Sequence, residues 1–269
     1  MKLLKLLSLT LISTTLFSNS TPKLLLLNTY KDQDTTKWVM SEKLDGIRAY
    51  WNGKELLSRS GKKIHAPKWF TKDYPKFEID GELWTKRGDF ENISSIVRDK
   101  IPSSKWSEIK HYIFEVPNAK GGLFQRLEKV KPYENEYIKI LPQIIIRNIE
   151  HQKSYFLDII NNNGEGIVVR DPKSLYINKR TSKALKVKNF KDTECEIIGY
   201  TDGKGKYLDK VGAIVCQLSN KITFKIGSGM NDKFRNNPPK IGTKITFKYQ
   251  NMTKYNKPRF PIYLRIRDN

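Results

Sequence analysis

The sequence predicts an α+β fold, in which a mixed domain of strands and helices comes before a small all-β barrel. Up to residue 190, runs that alternate in hydrophobicity occur together with runs of helical spacing. After Phe190 the chain holds five short β-rich runs separated by Gly, Pro, Asn and Asp, with almost no helical periodicity between them. Such a series predicts a five-stranded barrel. The sequence therefore divides into a domain at 21–190 and a second domain at 191–269.

Local patterning assigns the elements of each domain. Strands are predicted where β-branched and aromatic residues cluster, and helices where apolar residues recur every three or four positions. In the first domain the predicted strands are 46–51, 77–83, 112–116 and 166–170, and the predicted helices are 123–130 and 151–161. In the second domain the predicted strands are 194–201, 213–218, 221–226, 244–249 and 263–267.

The chain carries 50 Lys and Arg against 28 Asp and Glu, a formal net charge of +22. This excess predicts a polyanionic partner, either nucleic acid or an anionic membrane surface, although a Lys-rich soluble surface would give the same balance. Residues 191–269 hold sixteen Lys and Arg against seven Asp and Glu. The second domain is therefore about twice as densely positive as the first, which suits a clamp on a phosphate backbone.

The N-terminal segment has the pattern of an export signal. Lys2 and Lys5 form a basic start, residues 6–17 form an apolar run, and residues 18–20 form a small-residue cleavage site. We therefore expect a periplasmic protein that begins near Thr21 after cleavage and has no stable membrane association. We also expect it to be a monomer. An uncleaved N-terminal membrane anchor is the alternative, although the apolar run is short for a spanning helix.

The chain has two cysteines, Cys195 and Cys216. This number excludes a disulfide scaffold and a four-thiolate zinc site. The two thiols either form one bridge, as export would allow, or remain small core residues, and their apolar surroundings favour the second interpretation. The three histidines are too dispersed for a zinc helix, and His111, within an apolar run, is predicted to be structural.

The segment Lys43-Leu44-Asp45-Gly46-Ile47-Arg48 places an amine two residues from a carboxylate and five from an arginine. A lysine is a nucleophile only as the neutral amine, so Lys43 must lose its proton through burial, neighbouring cations or a bound metal. If the amine attacks a phosphorus atom, the reaction also needs cations that neutralise the charge of the reacting group. Lys186 and Lys188 alternate on a predicted strand, which places both side chains on one face.

Four further segments follow the lysine segment in order. They are Ser58-Arg59-Ser60-Gly61, Ile79-Asp80-Gly81-Glu82-Leu83, Glu165-Gly166-Ile167-Val168-Val169-Arg170 and Leu185-Lys186-Val187-Lys188. The ordered series closely resembles the covalent nucleotidyltransferase superfamily and, within it, the ATP-dependent DNA ligases.

The C-terminal part narrows the resemblance. Phe224-Lys225-Ile226-Gly227-Ser228-Gly229, Lys248-Tyr249-Gln250 and the run from Pro258 to Arg267 are similar to the OB-fold domain of the minimal ligases. With the export signal, the chain resembles the minimal, periplasmic-type bacterial ATP-dependent DNA ligases over residues 21–269. The resemblance implies a nucleotidyltransferase (adenylation) domain of antiparallel sheets and helices at 21–190, an OB-fold barrel at 191–269, and a short hinge near Phe190.

The resemblance assigns the attack on the α-phosphate of ATP to Lys43, with Asp45 orienting or tuning the amine. Lys186 and Lys188 would contact the α-phosphate. Phe114 would stack on the adenine, a contact worth about 1–3 kcal/mol. The implied ATP-binding residues are Glu42, Lys43, Glu82, Phe114, Lys186 and Lys188.

The implied metal ion is Mg²⁺ or Mn²⁺, which binds hard oxygen ligands. Glu165 follows the turn at 161–164 and begins a predicted strand, and the resemblance makes it a metal ligand. Glu82 would contact the ribose or assist the metal. Glu115 stands where related ligases usually carry Asp. Both side chains are hard oxygen donors, so we expect Glu115 to be a metal ligand with adjusted reach.

Nicked double-stranded DNA is the implied partner. Arg48 and Arg59 resemble the arginines that hold the 5′-phosphate at a nick and the neighbouring backbone, a task that suits bidentate guanidinium groups. Arg170 is assigned to the DNA with them. The family's last motif normally ends with a basic residue after its aspartate, whereas this chain does not. The candidates for orienting the pyrophosphate are Arg259, Arg267 and Asp268.

The predicted function is the sealing of DNA nicks in three steps. Lys43 takes AMP from ATP as a phosphoramidate, the AMP passes to the 5′-phosphate of the nick, and the 3′-hydroxyl then displaces it. Two alternatives are an RNA ligase or capping-type enzyme of the same superfamily, and a non-catalytic basic periplasmic DNA-binding protein. The chain has neither a G-x-x-x-x-G-K-[ST] phosphate loop nor a complete dinucleotide fingerprint.

Overall fold

A computed structural model gives the structure of the protein over residues 21–267. The predicted export signal at 1–20 and the candidate Asp268 lie outside the described residues. The strands, in chain order, are β1 (Leu26–Thr29), β2 (Val39–Glu42), β3 (Ile47–Trp51), β4 (Leu56–Ser58), β5 (Ile79–Trp84), β6 (Lys110–Glu115), β7 (Ile138–Ile140), β8 (Ile144–Ile145), β9 (Gly166–Arg170), β10 (Arg180–Lys188), β11 (Lys191–Asp202), β12 (Val211–Gln217), β13 (Thr223–Ile226), β14 (Lys244–Tyr249) and β15 (Ile262–Ile266). The helices are α1 (Lys68–Thr71), α2 (Phe90–Arg98), α3 (Leu123–Glu128), α4 (Ile149–Asn161) and α5 (Asp232–Asn236).

These strands form three five-stranded sheets. The first sheet has the order β1-β10-β9-β2-β8, the second β4-β3-β5-β6-β7, and the third β13-β12-β11-β14-β15. Antiparallel pairing dominates, whereas β6 and β7 pair in parallel. The α+β class with antiparallel sheets is therefore confirmed.

The third sheet corresponds to the predicted C-terminal barrel. β14 has the predicted bounds, and the edge strands β13 and β15 meet at one parallel bridge between Ser228 and Ile262. Beside that bridge, Tyr263 N donates to Ser228 O at 3.0 Å. The described residues thus form the predicted five-stranded OB-like unit, with a single bridge between the edges of its sheet and no closed barrel. The short helix α5, which the sequence did not predict, lies between β13 and β14.

The strands and helices predicted for residues 21–190 are all present, and their ends lie within two residues of the predicted ones. The strand β9 has the predicted bounds. The helix α2 was missed. It contains Asn, Ser and β-branched residues, which are weak helix formers, but it buries Ile93, Ile96 and Val97 and packs near β3 and β5. Tertiary packing therefore stabilises a helix that local propensity does not indicate.

The chain folds into two compact units. The first contains Gly46–Leu141 and Lys173–Arg180, together with the described residues up to Leu26. The second contains Leu27–Asp45, Pro142–Pro172 and the described residues from Thr181 onward. The lysine segment is thus divided between the units after Asp45. The domain boundary near 190 stays a prediction, since the second unit includes strands from both sides of that position.

One face of the second sheet forms the core of the first unit. His111 on β6 is fully buried there, with its Nε2 3.1 Å from Ala49 O and its Nδ1 3.1 Å from the Tyr74 hydroxyl. Because a carbonyl can only accept, Nε2 donates and Nδ1 accepts from Tyr74. Both ring nitrogens are satisfied, as a structural histidine requires.

A disulfide joins Cys195 on β11 to Cys216 on β12, with their Cα atoms 5.8 Å apart. Both residues are buried in the core of the third sheet, beside Ile197, Phe224 and Phe247. The interpretation of these cysteines as unbridged core residues is therefore wrong. Both cysteines do lie in an apolar core, but two adjacent strands bring the thiols within bonding reach, which sequence patterning does not reveal.

We expect reduction of this bridge to destabilise the third sheet. The bridge spans 21 residues, and restoring that loop's freedom to the unfolded chain lowers the free energy of unfolding by about 3 kcal/mol. Urea unfolding with and without a strong reductant measures the difference. The double variant Cys195→Ala/Cys216→Ala is the control and should not respond to reductant. Identical urea midpoints for the oxidised and the fully reduced wild type would contradict the prediction.

The free energy of unfolding should also decrease in mild acid because of His111. Burial lowers the pKa of His111 from 6.5 to about 4, and this outweighs the hydrogen bond to Ala49 O, which acts in the opposite direction. Between these values the unfolded chain takes up a proton that the folded chain excludes, so the free energy of unfolding decreases by about 3 kcal/mol as pH falls through the window. NMR titration of the three histidines checks the cause, and a His111 midpoint near 6.5 in the folded protein would refute it.

Candidate active site

Lys43 directly follows β2, and its side chain forms an ion pair with Glu165. Lys43 Nζ lies 2.6 Å from Glu165 Oε2, and Lys188 Nζ lies 2.6 Å from Glu165 Oε1. The side chain of Glu165 is 6% exposed, so one nearly buried carboxylate bridges two lysines. The structure thereby brings together three residues that the sequence assigned to one site.

Gly166 allows Glu165 to reach this position. Lys43 N donates to Gly166 O at 2.9 Å, which extends the pairing of β2 with β9. Gly166 has φ +147°, and a Cβ at this residue would lie 2.2 Å from Val187 O on β10. Glycine tolerates both conditions. The start of β9 can therefore lie directly opposite Lys188, the last residue of β10.

Lys186 lies two residues before Lys188 on β10. It pairs with Val168 on β9, and Lys188 pairs with Gly166. Since side chains alternate along a strand, Lys186 and Lys188 project from the same face of the first sheet. This is the arrangement that the sequence predicted for two lysines that act on one phosphate.

Asp45 is held by Arg259 from the connection between β14 and β15. Arg259 NH1 lies 2.5 Å from Asp45 Oδ2, and NH2 lies 3.2 Å from Oδ1. In the same connection, Gln250 Oε1 accepts from Lys188 Nζ at 3.3 Å, and the Phe260 ring lies 5.7 Å from that nitrogen. Within the second unit, Asp45 and Lys188 are therefore in contact with the connection between β14 and β15.

The charges at this site alternate in sign. A carboxylate between two ammonium groups attracts both of them and offsets their mutual repulsion. Attack on phosphorus needs the neutral amine of Lys43. Chemistry at Lys43 therefore requires that Glu165 either accepts the proton or turns to another cation.

In the first unit, Arg48 on β3 is anchored to Asp80 on β5. Its Nε donates to Asp80 Oδ1 at 3.0 Å, its NH2 donates to Oδ2 at 2.6 Å, and NH2 also donates to Leu25 O at 3.0 Å. Burial disfavours the charge of Arg48, but the ion pair with Asp80 outweighs it and raises the pKa further above its ordinary value. The guanidinium carbon lies 5.5 Å from the centroid of the Phe114 ring. Arg48 is thus a fixed cation beside Phe114.

Glu82 lies on the same face of the second sheet. It pairs in register with Arg48 on β3 and with Tyr112 on β6. Paired residues in a sheet share a face, and Phe114 lies two residues from Tyr112. The structure therefore brings Arg48, Glu82 and Phe114 onto one face of the second sheet.

Two predicted site residues, Glu115 and Arg170, are almost fully buried, and their roles stay predictions. Glu115, predicted as a metal ligand, is 1% exposed, and its oxygens accept from Arg126 Nε at 2.6 Å and NH2 at 2.9 Å. This buried bidentate pair gives the carboxylate a role in the fold. Arg170, predicted to contact DNA, is 6% exposed at the end of β9. Arg170 pairs with Ala184 on β10, so it lies on the same face of the first sheet as Lys186 and Lys188.

The remaining candidates lie apart from these clusters. Arg59 is exposed in the turn after β4, and Gly61 N closes that turn by donating to Ser58 O at 2.9 Å. Arg267 forms an ion pair with Glu194 within the third sheet. Their roles stay predictions, as does the ATP contact of Glu42, the last residue of β2.

Three residues of these networks were not predicted from the sequence. Asp80 and Gln250 stand inside segments that carry the family resemblance, so an acidic residue two positions before Glu82 and an amide after Tyr249 were the available signals. Arg126 gave no signal, because a charged residue on a short helix normally faces solvent.

Glu165 fits a magnesium site that uses few protein ligands. Among residues 21–267, no group of three or more His, Cys, Asp or Glu is arranged to hold a metal. Mg²⁺ commonly keeps several waters and binds one or two carboxylates plus substrate phosphates. A single nearly buried carboxylate such as Glu165 suits such an ion.

Two protein-family models match this chain. A family model described as an ATP dependent DNA ligase domain matches residues 25–188. A second, described as a DNA ligase OB-like domain, matches residues 202–267.

Individual relatives are DNA ligases as well. A DNA ligase of Haemophilus influenzae is 45% identical over 253 residues, which cover 93% of each chain. A solved structure from a study of how Lig E DNA ligases bind DNA with a minimal scaffold is 36% identical, with a TM-score of 0.85, and the match covers 91% of this chain and 98% of that one. The Chlorella virus DNA ligase-adenylate is 27% identical, with a TM-score of 0.54, over 93% of this chain and 99% of that one.

Glu165→Gln should uncouple the two lysines while preserving the volume of the side chain. We expect covalent labelling by α-labelled ATP to slow by about 100-fold or more, because a neutral amide neither accepts the proton of Lys43 nor binds a divalent cation well. Quench-flow labelling measures the rate. Glu128→Gln, which breaks an exposed ion pair with Lys131, is the control and should label normally. A wild-type rate in Glu165→Gln would show that this carboxylate takes no part in the chemistry.

Proposed function

The chain belongs to the ATP-dependent DNA ligases, and from that premise we propose that Lys43 is the nucleophile through which it seals nicks in duplex DNA. The observation that carries the proposal is the position of Lys43 at the end of β2, against Glu165 and Lys188. Few surface lysines lie against a nearly buried carboxylate that a second lysine also contacts. The pair of lysines matches what an attack on a phosphate requires.

In the first step, Lys43 Nζ forms a bond to the α-phosphorus of ATP, and the bond from that phosphorus to the bridging oxygen breaks. Pyrophosphate leaves, and the amine loses its proton. Glu165 Oε2, 2.6 Å from Nζ, is the nearest proton acceptor that the structure places there. Lys186 and Lys188 supply positive charge for the reacting phosphate.

The second and third steps transfer and release AMP. An oxygen of the 5′-phosphate at the nick attacks the lysyl-AMP, and the P–N bond to Lys43 breaks. The 3′-hydroxyl then attacks the activated 5′-phosphate, loses its proton and displaces AMP. Arg48 and Arg59 are proposed to hold the DNA phosphates. Arg48 is prepared for this task, since Asp80 fixes its guanidinium in place.

Glu82 and Phe114 are proposed to bind the ribose and the adenine of ATP. Both project from one face of the second sheet, where an aromatic ring and a carboxylate suit a base and a sugar hydroxyl. Glu165 is proposed to hold Mg²⁺ or Mn²⁺, which when bound would neutralise phosphate charge. Arg259 is proposed to act on the pyrophosphate side after exchanging Asp45 for phosphate oxygens, a partner that guanidinium groups also bind in bidentate fashion.

The alternative functions are less well supported. An RNA ligase or capping-type enzyme would share the lysine chemistry, but the relatives named above are DNA ligases. A non-catalytic DNA-binding protein would not need Lys43, Glu165 and Lys188 to lie in contact. Labelling with ATP against GTP, and discharge by nicked DNA against nicked RNA, separates the three functions.

Export to the periplasm is part of the proposal. The basic and apolar N-terminal segment supports it, as does the Cys195–Cys216 bridge, because disulfides persist in oxidising compartments. Within the described part of the chain, none of the helices has the length and hydrophobicity that a membrane span needs. We further propose that the processed protein acts as a monomer, which size measurement by light scattering would test.

Lys43→Ala should abolish labelling by α-labelled ATP, because alanine offers no atom for the phosphoramidate bond. It should still close a nick that already carries AMP on its 5′-phosphate, since the third step uses only the 3′-hydroxyl as nucleophile. Lys54→Ala, at an exposed turn residue, is the control and should do both. Retained labelling in Lys43→Ala would overturn the mechanism.

A further inference from the structure

The second sheet continues beyond the proposed ATP contacts on the same face. Trp84 lies two residues after Glu82 on β5, and Tyr112 lies two residues before Phe114 on β6. Because β5 and β6 are antiparallel, both steps lead in the same direction along the sheet, by about 7 Å each. Trp84 therefore lies beyond Glu82, and Tyr112 lies beyond Phe114 and directly opposite Glu82. The four side chains therefore line one continuous strip of the sheet face.

Trp84 and Tyr112 form an aromatic pair on this strip. Their ring centroids lie 5.5 Å apart with the planes at 80°, an edge-to-face contact. Both residues are half-buried, whereas Leu83 and Ile113 on the opposite face are fully buried. The pair is thus held in a fixed orientation at the surface, with ring area left for a ligand.

Each ring has a lysine opposite it on the neighbouring strand. Lys110 pairs in register with Trp84, and Lys139 on β7 pairs with Tyr112. Paired residues lie with their Cβ atoms about 5 Å apart on the same face. Both lysines are half-buried. Two aromatic rings, each beside a cation, match a ligand that carries flat groups and phosphates at short intervals.

The identity of that ligand follows from its place on the strip. A nucleotide bound through Phe114 and Glu82 already has its base and ribose accommodated, so the next subsite lies beyond the sugar. In nick sealing, the group that meets the nucleotide there is the DNA strand end. Single-strand-like nucleic acid is bound elsewhere by aromatic stacking combined with basic side chains.

We propose that Trp84 and Tyr112, flanked by Lys110 and Lys139, form a stacking subsite for the nicked strand beside the break. The rings contact the sugar or base next to the nick, and the two lysines neutralise the adjoining phosphates. This subsite rests on the proposed function, because it takes Glu82 and Phe114 to be the ATP contacts. It gives the first unit a DNA contact besides its arginines.

The test compares DNA affinity with ATP labelling in the full chain. Trp84→Ala should raise the Kd for nicked duplex, measured by fluorescence anisotropy, by about tenfold, as expected for one lost stacking contact. The rate of lysyl-AMP formation without DNA should stay within about twofold of wild type, since Trp84 lies beyond Glu82 and Phe114, the residues proposed to bind the nucleotide. Trp84→Phe keeps a ring and should restore most of the affinity.

Trp69→Ala is the matched control. Trp69 on α1 is also a surface tryptophan, 41% exposed, with its ring 5.1 Å from that of Tyr137, and its loss should leave the DNA Kd unchanged. Wild-type DNA affinity in Trp84→Ala, or equal weakening in Trp69→Ala, would overturn the subsite. Slower ATP labelling in Trp84→Ala would overturn it too, by assigning the pair to the nucleotide pocket.

The lysines give a second test that does not depend on the aromatic variants folding. Lys110→Ala/Lys139→Ala should lower the slope of log Kd against log salt concentration by about 1–2, as for the loss of two phosphate contacts. An unchanged slope would refute the proposal. Failure of the wild type to label with ATP or to seal nicks would instead refute the proposed function, so the two failures are distinguishable.

Discussion

The paired contact of Glu165 with Lys43 and Lys188 is the interaction on which the proposed chemistry of this protein depends. It joins three segments, β2, β9 and β10, that lie far apart in the sequence. An ionised carboxylate this deeply buried costs several kcal/mol unless cations compensate it, and the two lysines would repel each other without it. The same contact therefore allows the three charged side chains to lie together in the absence of ATP.

Adenylylation then becomes an exchange of partners. In the proposed mechanism a triphosphate would offer Lys188 and Arg259 anionic oxygens in place of Glu165 and Asp45, and Glu165 would hold a divalent cation in place of Lys43. In this proposal, each ion pair of the ATP-free protein would be replaced by a contact with ATP or the cation. Few charges would then be left uncompensated with or without ATP. Under this proposal Lys43 would lose its carboxylate partner only when substrate and cation are bound, which would couple its reactivity to substrate binding.

The sequence predicted the composition of the site better than its contacts. Lys43, Glu165 and Lys188 were found because ordered motifs and strand alternation are local signals, and the bounds of β9 and β14 followed from the same patterning. The pair of Asp45 with Arg259 spans 214 residues and leaves no local trace. The burial of Glu115 beside Arg126 and the closure of the Cys195–Cys216 bridge likewise depend on which strands and helices become neighbours.

Net charge alone cannot direct this chain to a nick. A charge of +22 attracts any duplex, and that attraction weakens as salt rises because it arises from the release of counterions. Recognition of a break requires contacts that an intact strand cannot make, such as a guanidinium on a terminal phosphate or a ring against an exposed sugar or base. The second sheet holds Arg48 rigidly through Asp80 and orients Trp84 through Tyr112. Pre-positioned groups lose little entropy on binding, so under the proposed roles of Arg48 and Trp84 a small scaffold would discriminate a nick while its general charge supplies only the encounter.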